Sequence, residues 1–131
     1  MANRPLHRIL HVEDEDDIRT IAKLTLEALG GFEVESCESG SQAIARVAAF
    51  NPDLILLDVM MPGMDGPMTL VELRKLPATA HTPVVFMTAK AQPHEIAKFR
   101  ELGAIDIVTK PFDPQALCEN LDAIWRRFEE A

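Results

Sequence analysis

Five short apolar segments, each closed by a polar residue, alternate along this chain with five amphipathic stretches of helical period. Strict strand–helix alternation with short connections implies a parallel sheet with helices on both faces. The clearest segment is Asp53-Leu-Ile-Leu-Leu-Asp58, where four apolar residues run into an aspartate and the Pro62-Gly63 breaker pair follows shortly after. A continuous apolar run ending at a turn reads as a strand buried on both faces, in the middle of such a sheet. It carries Asp58 to the point where the chain leaves the core. An unpaired carboxylate there is costly to desolvate, so partners are expected.

The other elements follow in order. Arg8 to Glu13 reads as the first strand, running into the acidic cluster Glu13 to Asp17. The first helix places Ile18, Ile21, Ala22, Thr25 and Leu29 near one face and stops at Gly30-Gly31. Phe32 to Ser36 alternates apolar and polar residues, as a strand with one exposed face does, and is expected at a sheet edge. Ser39 and Gln42 have capping-box spacing. They open a second helix whose stripe is Ile44, Val47 and Ala48, ended by Asn51-Pro52. Asp65-Gly66-Pro67 opens the third helix, and Leu70, Leu73 and Arg74 lead on to Pro77. A loop is expected over 77–82, then a strand from Pro83 to Thr88. The fourth helix starts at Pro93 with Ile96, Phe99 and Leu102 inward and closes at Gly103. Ile105 to Lys110 is the fifth strand. Asp113-Pro114 caps a last helix with the stripe Leu117, Leu121, Ile124 and Phe128. Trp125 lies off that stripe, as a partner contact or as part of the core. No repeat, linker or low-complexity segment interrupts the 131 residues, which are read as one domain.

The formal net charge of −8 disfavours direct nucleic-acid binding, which needs a basic footprint. No apolar run has the length of a bilayer span, and no signal-peptide pattern opens the chain, so a cytoplasmic location is expected. Cys37 and Cys118 lack metal-type spacing and are read as small core residues. His7, His11, His81 and His94 show no ligand spacing.

In a parallel sheet the carboxyl ends of all strands share one edge, where ligands bind. The strands deliver Glu13 and Asp14, Asp58, Thr88 and Lys110 to it. Singly, each has an ordinary explanation as a cap, turn or solvated residue. Jointly, at the ends of four strands, they describe a site for a phosphoryl group and a hard cation. Clustered carboxylates need compensation, and Mg²⁺ suits one or two carboxylates with phosphate oxygens and water. The Lys110 ammonium suits a phosphate or Asp58 itself.

With Glu13-Asp14, the run Leu54-Ile-Leu-Leu-Asp58-Val-Met-Met-Pro-Gly-Met-Asp-Gly66, Thr88-Ala89 and Lys110-Pro111-Phe112 in this order, the chain resembles the receiver domain of two-component response regulators. The resemblance covers almost the whole chain. It implies a flavodoxin-like, doubly wound sheet of strand order 2-1-3-4-5. It also implies that Asp58 accepts a phosphoryl group from a phosphohistidine on a histidine kinase or phosphotransfer protein, with Thr88 and Lys110 on the phosphoryl oxygens. Asp14, Asp58 and the backbone carbonyl of Met60 would bind Mg²⁺ directly, and Glu13 through water. The Lys110–Pro111 peptide would be cis.

The resemblance further implies that Thr88, with Ala89 and Lys90 on its loop, changes the surface of the fourth helix, fifth strand and fifth helix, for a protein target or a dimer. Ile107 stands where the family often has an aromatic switch residue. Met60 and Lys90 occupy positions that tune attack by water. A single-domain regulator without an output domain is expected, the other reading being that an output part has been cut away. Two rivals remain. A phosphatase acting through an aspartyl phosphate would want an acid at Met60. An interaction module would act without phosphorylation.

Overall fold

The computed structural model describes residues 4–130. Five strands, β1 (Arg8–Val12), β2 (Glu33–Cys37), β3 (Leu54–Asp58), β4 (Val84–Thr88) and β5 (Asp106–Thr109), alternate with five helices. These are α1 (Asp16–Ala28), α2 (Gly40–Phe50), α3 (Gly66–Arg74), α4 (Pro93–Leu102) and α5 (Pro114–Glu130). All strand pairs are parallel and the order is β2-β1-β3-β4-β5, the flavodoxin-like arrangement that the resemblance implied. β2 lies at one edge, as its alternating pattern required, and β5 at the other.

Successive residues of β3 serve opposite faces of the sheet, the two-residue period of a pleated strand. Leu54 and Leu56 join Ile9, Val85, Leu117, Leu121 and Ile124 on the α1–α5 side. Ile55 and Leu57 join Leu10, Val47, Leu70, Leu73 and Phe86 on the α2–α4 side. Side chains of this kind, fully buried, each stabilise the fold by roughly 1.5–3 kcal/mol. A polar residue inside β3 would remove that support from whichever layer it faced.

Local chemistry sets the boundaries. Ser39 Oγ accepts from the Gln42 amide at 3.1 Å, while Gln42 Oε1 reaches back one residue further than a capping box requires, to the Glu38 amide at 3.0 Å. Asp65 caps α3 through the Met68 amide. The expected loop over 77–82 contains a short 3₁₀ turn, Pro77–Thr79. Arg74 fastens it by donating to the carbonyls of Thr79 and Thr82 at 2.9 and 2.6 Å. The Lys110–Pro111 peptide is cis.

Several helix stripes differ from expectation. In α1 the buried residues are Ala22, Thr25 and Leu26; Ile21 and Leu29 are exposed and Ile18 is half-buried. In α2 Ala43 is buried with Val47, whereas Ala48 faces solvent and Ile44 is half-buried. Leu102 is exposed at the end of α4, where Phe99 alone is fully inward and Ile96 is half-buried. Phe128 is half-buried and Trp125, only 3% exposed, takes the core position in α5. Helical period identifies an apolar arc wider than the contact line, and packing selects which part of it faces the sheet. Trp125 Nε1 donates to the Arg4 carbonyl at 2.7 Å, which satisfies its polar end as burial requires. Cys37 and Cys118 are free and buried. Burial pushes the Cys37 thiol up to about 11, so it is unreactive. Among the described residues no helix is long and apolar enough to cross a membrane.

Candidate phosphoryl and metal site

Register brings the strand ends together. Val12 lies beside Leu57, so Glu13 follows on next to Asp58. Asp58 lies beside Met87, one residue before Thr88, and Thr88 lies beside Thr109, one before Lys110. The backbone continues the pairing beyond the strands: Glu13 N–H donates to the Cys37 carbonyl, Val59 N–H to Met87 and Lys110 N–H to Thr88, at 2.8–3.0 Å. Gly66 packs against the backbone at the end of β3. Its amide donates to the Val59 carbonyl at 2.9 Å, and a Cβ there would stand 2.5 Å from the Asp58 carbonyl oxygen. Any side chain at that position would push on the strand end carrying the aspartate.

One oxygen each of Glu13, Asp14 and Asp58 lies within 4.8 Å of the others. Glu13 and Asp58 are almost wholly buried and Asp14 is half-buried. The Lys110 ammonium sits 3.0 Å from Asp58 Oδ1 and 3.3 Å from Glu13 Oε1. It is the one cation in contact with Asp58 among the described residues, and the Asp58 carboxylate accepts from no backbone amide there. Burial, reinforced by the Asp58 charge, pushes the Glu13 carboxyl up to about 7. Burial also raises Asp58, against the opposing pull of Lys110. Desolvation works to lower Lys110, but the Asp58 and Glu13 carboxylates outweigh it and leave it raised. One ammonium does not offset three carboxylates. Three converging carboxylates, two of them buried and with oxygen as their only donor atoms, fit a hard divalent cation that keeps some of its water.

The remaining residues singled out in the sequence end β4, follow β3 and β4, or lie within β5. Thr88 is buried, and its hydroxyl is engaged with its own loop, donating to the Lys90 carbonyl at 3.1 Å and accepting from the Lys90 amide at 3.2 Å. Ala89 and Lys90 are exposed, Ile107 is half-buried, and the Met60 side chain is 77% exposed.

Three neighbours went unrecognised in the sequence. Arg19 ties down the loop carrying Glu13 and Asp14. Gly66 reads in the sequence as a helix-opening residue, and nothing in its pattern shows its contact with the Asp58 backbone. His11 is fully buried in β1 and neither ring nitrogen has a partner among the described residues. Burial, with help from Lys110 and Arg19, pushes it down to about 4, so the ring is neutral. Its place within an apolar strand was the signal for burial; nothing in the spacing showed the missing partners.

Residues 9–122 match the family model of the response regulator receiver domain. The transcriptional regulatory protein CseB of Streptomyces coelicolor is 40% identical over 124 residues, which make up 94% of this chain and 51% of that protein. The phosphate regulon transcriptional regulatory protein PhoB of Pseudomonas aeruginosa is 39% identical over 119 residues, 91% of this chain and 52% of that protein. The chain therefore spans about half the length of these relatives. Among solved structures, the chemotaxis protein CheY4 of Vibrio cholerae superposes with a TM-score of 0.85 at 29% identity, covering 91% of this chain and 98% of that one.

Proposed function

The chain belongs to the response regulator receiver domain family, and from that premise we propose that it is a phosphoacceptor switch in which Asp58 takes a phosphoryl group from a phosphohistidine on a partner protein. The observation that carries this reading is the buried Asp58 carboxylate, met by a single ammonium 3.0 Å away and by no amide donor among the described residues. An Asp58 oxygen attacks phosphorus and the phosphorus–nitrogen bond breaks. The electron pair returns to the imidazole, which is reprotonated from solvent. Lys110, whose ammonium lies 3.0 Å from Asp58 Oδ1, would follow the negative charge from the carboxylate to a phosphoryl oxygen. Asp14, Asp58 and the Met60 carbonyl would hold Mg²⁺, with Glu13 acting through water. When bound, the ion offsets negative charge on carboxylate and phosphoryl oxygens.

Phosphorylation adds about −1.5 to −2 charges at the end of β3. Thr88 then exchanges its two bonds with Lys90 for a phosphoryl oxygen and draws the Thr88–Pro93 loop with it. The surface of α4, β5 and α5 shifts between two packings, and a protein partner reads the difference. With Ile107 in β5, the readout works through loop and helix displacement. The protein acts in the cytoplasm, on a protein target, and catalyses only its own phosphoryl transfer and hydrolysis.

The test is incorporation of phosphate from acetyl phosphate, with and without Mg²⁺, followed by intact mass. A gain of one phosphoryl group that needs both Mg²⁺ and Asp58 is expected. A folded chain that stays unmodified with Mg²⁺ present would favour an interaction module working without phosphorylation.

A further inference from the structure

The guanidinium of Arg19, on the first turns of α1, turns back toward the β1–α1 loop. Its Nη1 donates to the Glu13 carbonyl at 2.9 Å and to the Asp14 carbonyl at 3.4 Å. Its Nη2 pairs with the Asp16 carboxylate and stands 3.8 Å from Glu38 Oε2, in the turn before α2. The side chain is mostly buried in doing so. The first helical bond of this region runs from the Arg19 amide to the Glu15 carbonyl, so the carbonyls of residues 13 and 14 lie outside the helix ladder. Glu15, at the N-cap of α1, makes no side-chain cap. The bend that aims Glu13 and Asp14 at Asp58 is thus fastened by a side chain six and five residues further on.

We propose that Arg19 is a positioning residue for the cation site: it holds the backbone of Glu13 and Asp14 so that their carboxylates converge with Asp58. This rests on the reading above that the acidic cluster binds Mg²⁺. The sign of the effect separates positioning from simple charge. A cation beside the cluster opposes Mg²⁺ through space, so removing Arg19 as a charge would tighten binding. Removing it as a tether loosens the loop and weakens binding. Groups that orient metal ligands from behind typically matter 10–100-fold in affinity. A lysine keeps the charge but has no planar fork to span two carbonyls and a carboxylate.

The experiment is calorimetric titration of the whole chain with MgCl₂, with thermal unfolding in EDTA to confirm folding of each variant. Arg19→Ala is expected to bind Mg²⁺ about tenfold more weakly. The Mg²⁺ concentration giving half-maximal phosphorylation by acetyl phosphate should rise by the same factor, with the rate at saturating Mg²⁺ retained. Arg19→Lys should fall between the two and carries the test if Arg19→Ala does not fold. Lys23→Ala, an exposed cation one turn along α1, should leave affinity unchanged or slightly tighter. Unchanged or tighter binding in Arg19→Ala, or full affinity in Arg19→Lys, overturns the proposal. A wild-type chain that binds no Mg²⁺ overturns the reading of the site and this proposal with it.

Discussion

Asp53 stands just before β3 and Asp58 ends it. The Asp53 carboxylate accepts from Arg4 Nη1 at 2.8 Å and from the amides of His7 and Arg8 at 3.1 and 2.8 Å. Burial works to raise its pKa, but these donors outweigh it and hold the carboxyl below its usual value. Asp58 is more deeply buried, has the Lys110 ammonium as its one cationic contact, accepts from no amide among the described residues, and its pKa is raised. Asp53 is a saturated carboxylate that joins the N-terminal segment to the sheet. Asp58 is an unsaturated one, and its spare lone pairs are what a nucleophile and cation ligand needs. One strand thus has a donor-saturated acid at its start and a poorly compensated one at its end, and the number of donors facing each distinguishes them.

Exchanging each acid for a neutral residue is the sharpest way to break this contrast. Asp58→Asn should abolish phosphate incorporation from acetyl phosphate altogether. In the absence of Mg²⁺ it should also raise unfolding stability by about 1 kcal/mol, because a poorly compensated buried charge is gone. Loss of stability in that variant would contradict the account of Asp58 as unsatisfied. Asp53→Ala should do the reverse. It leaves two amides and a guanidinium without their acceptor, so urea unfolding should show a loss of about 1–3 kcal/mol while Asp58 still takes phosphate.

The same contrast sets the pH dependence. Glu13 is raised from 4.5 to about 7. The stability linked to its protonated form is full below its ordinary value and is lost as pH rises through about 7. Asp53 behaves oppositely, its contribution vanishing as pH falls below the ordinary carboxylate range. Buried His11, lowered from 6.5 to about 4, works against Glu13, because its contribution is lost as pH falls below about 6.5. Without divalent cations, the two should nearly cancel, so stability changes by less than about 1 kcal/mol between pH 8 and pH 5 and then falls in stronger acid. Mg²⁺ should flatten the upper limb, and denaturant midpoints measured across pH with and without MgCl₂ would show it. The smallest expected effect concerns Met60. Its exposed side chain stands two residues after Asp58 and can fold over the acyl phosphate. Met60→Asn should speed hydrolysis a few-fold, under about 1 kcal/mol, as read by loss of the phosphorylated mass with time. An unchanged or slower rate would remove the shielding role.

Much of this molecule was legible before any coordinates. Leu54 to Leu57 could only be a strand covered on both faces, and the polar residues closing strands of a parallel sheet must share an edge. Asp58, Glu13, Asp14 and Lys110 therefore came together as expected. Helix orientation was less legible: Ile21, Leu29, Ala48 and Leu102 carry apolar side chains that packing leaves outside.

The sequence alone determined element order, parallel pairing and the residues at the strand ends, since these follow from local periodicity and chain direction. Only the tertiary structure decided who satisfies whom. Trp125 found the Arg4 carbonyl across the whole chain, Arg19 took the carbonyls of its own entry loop, Thr88 turned to Lys90, and Gly66 met the back of Asp58. Hydrogen bonds and close contacts of this kind depend on ångström-scale distances between segments, and residue type and spacing do not carry that information.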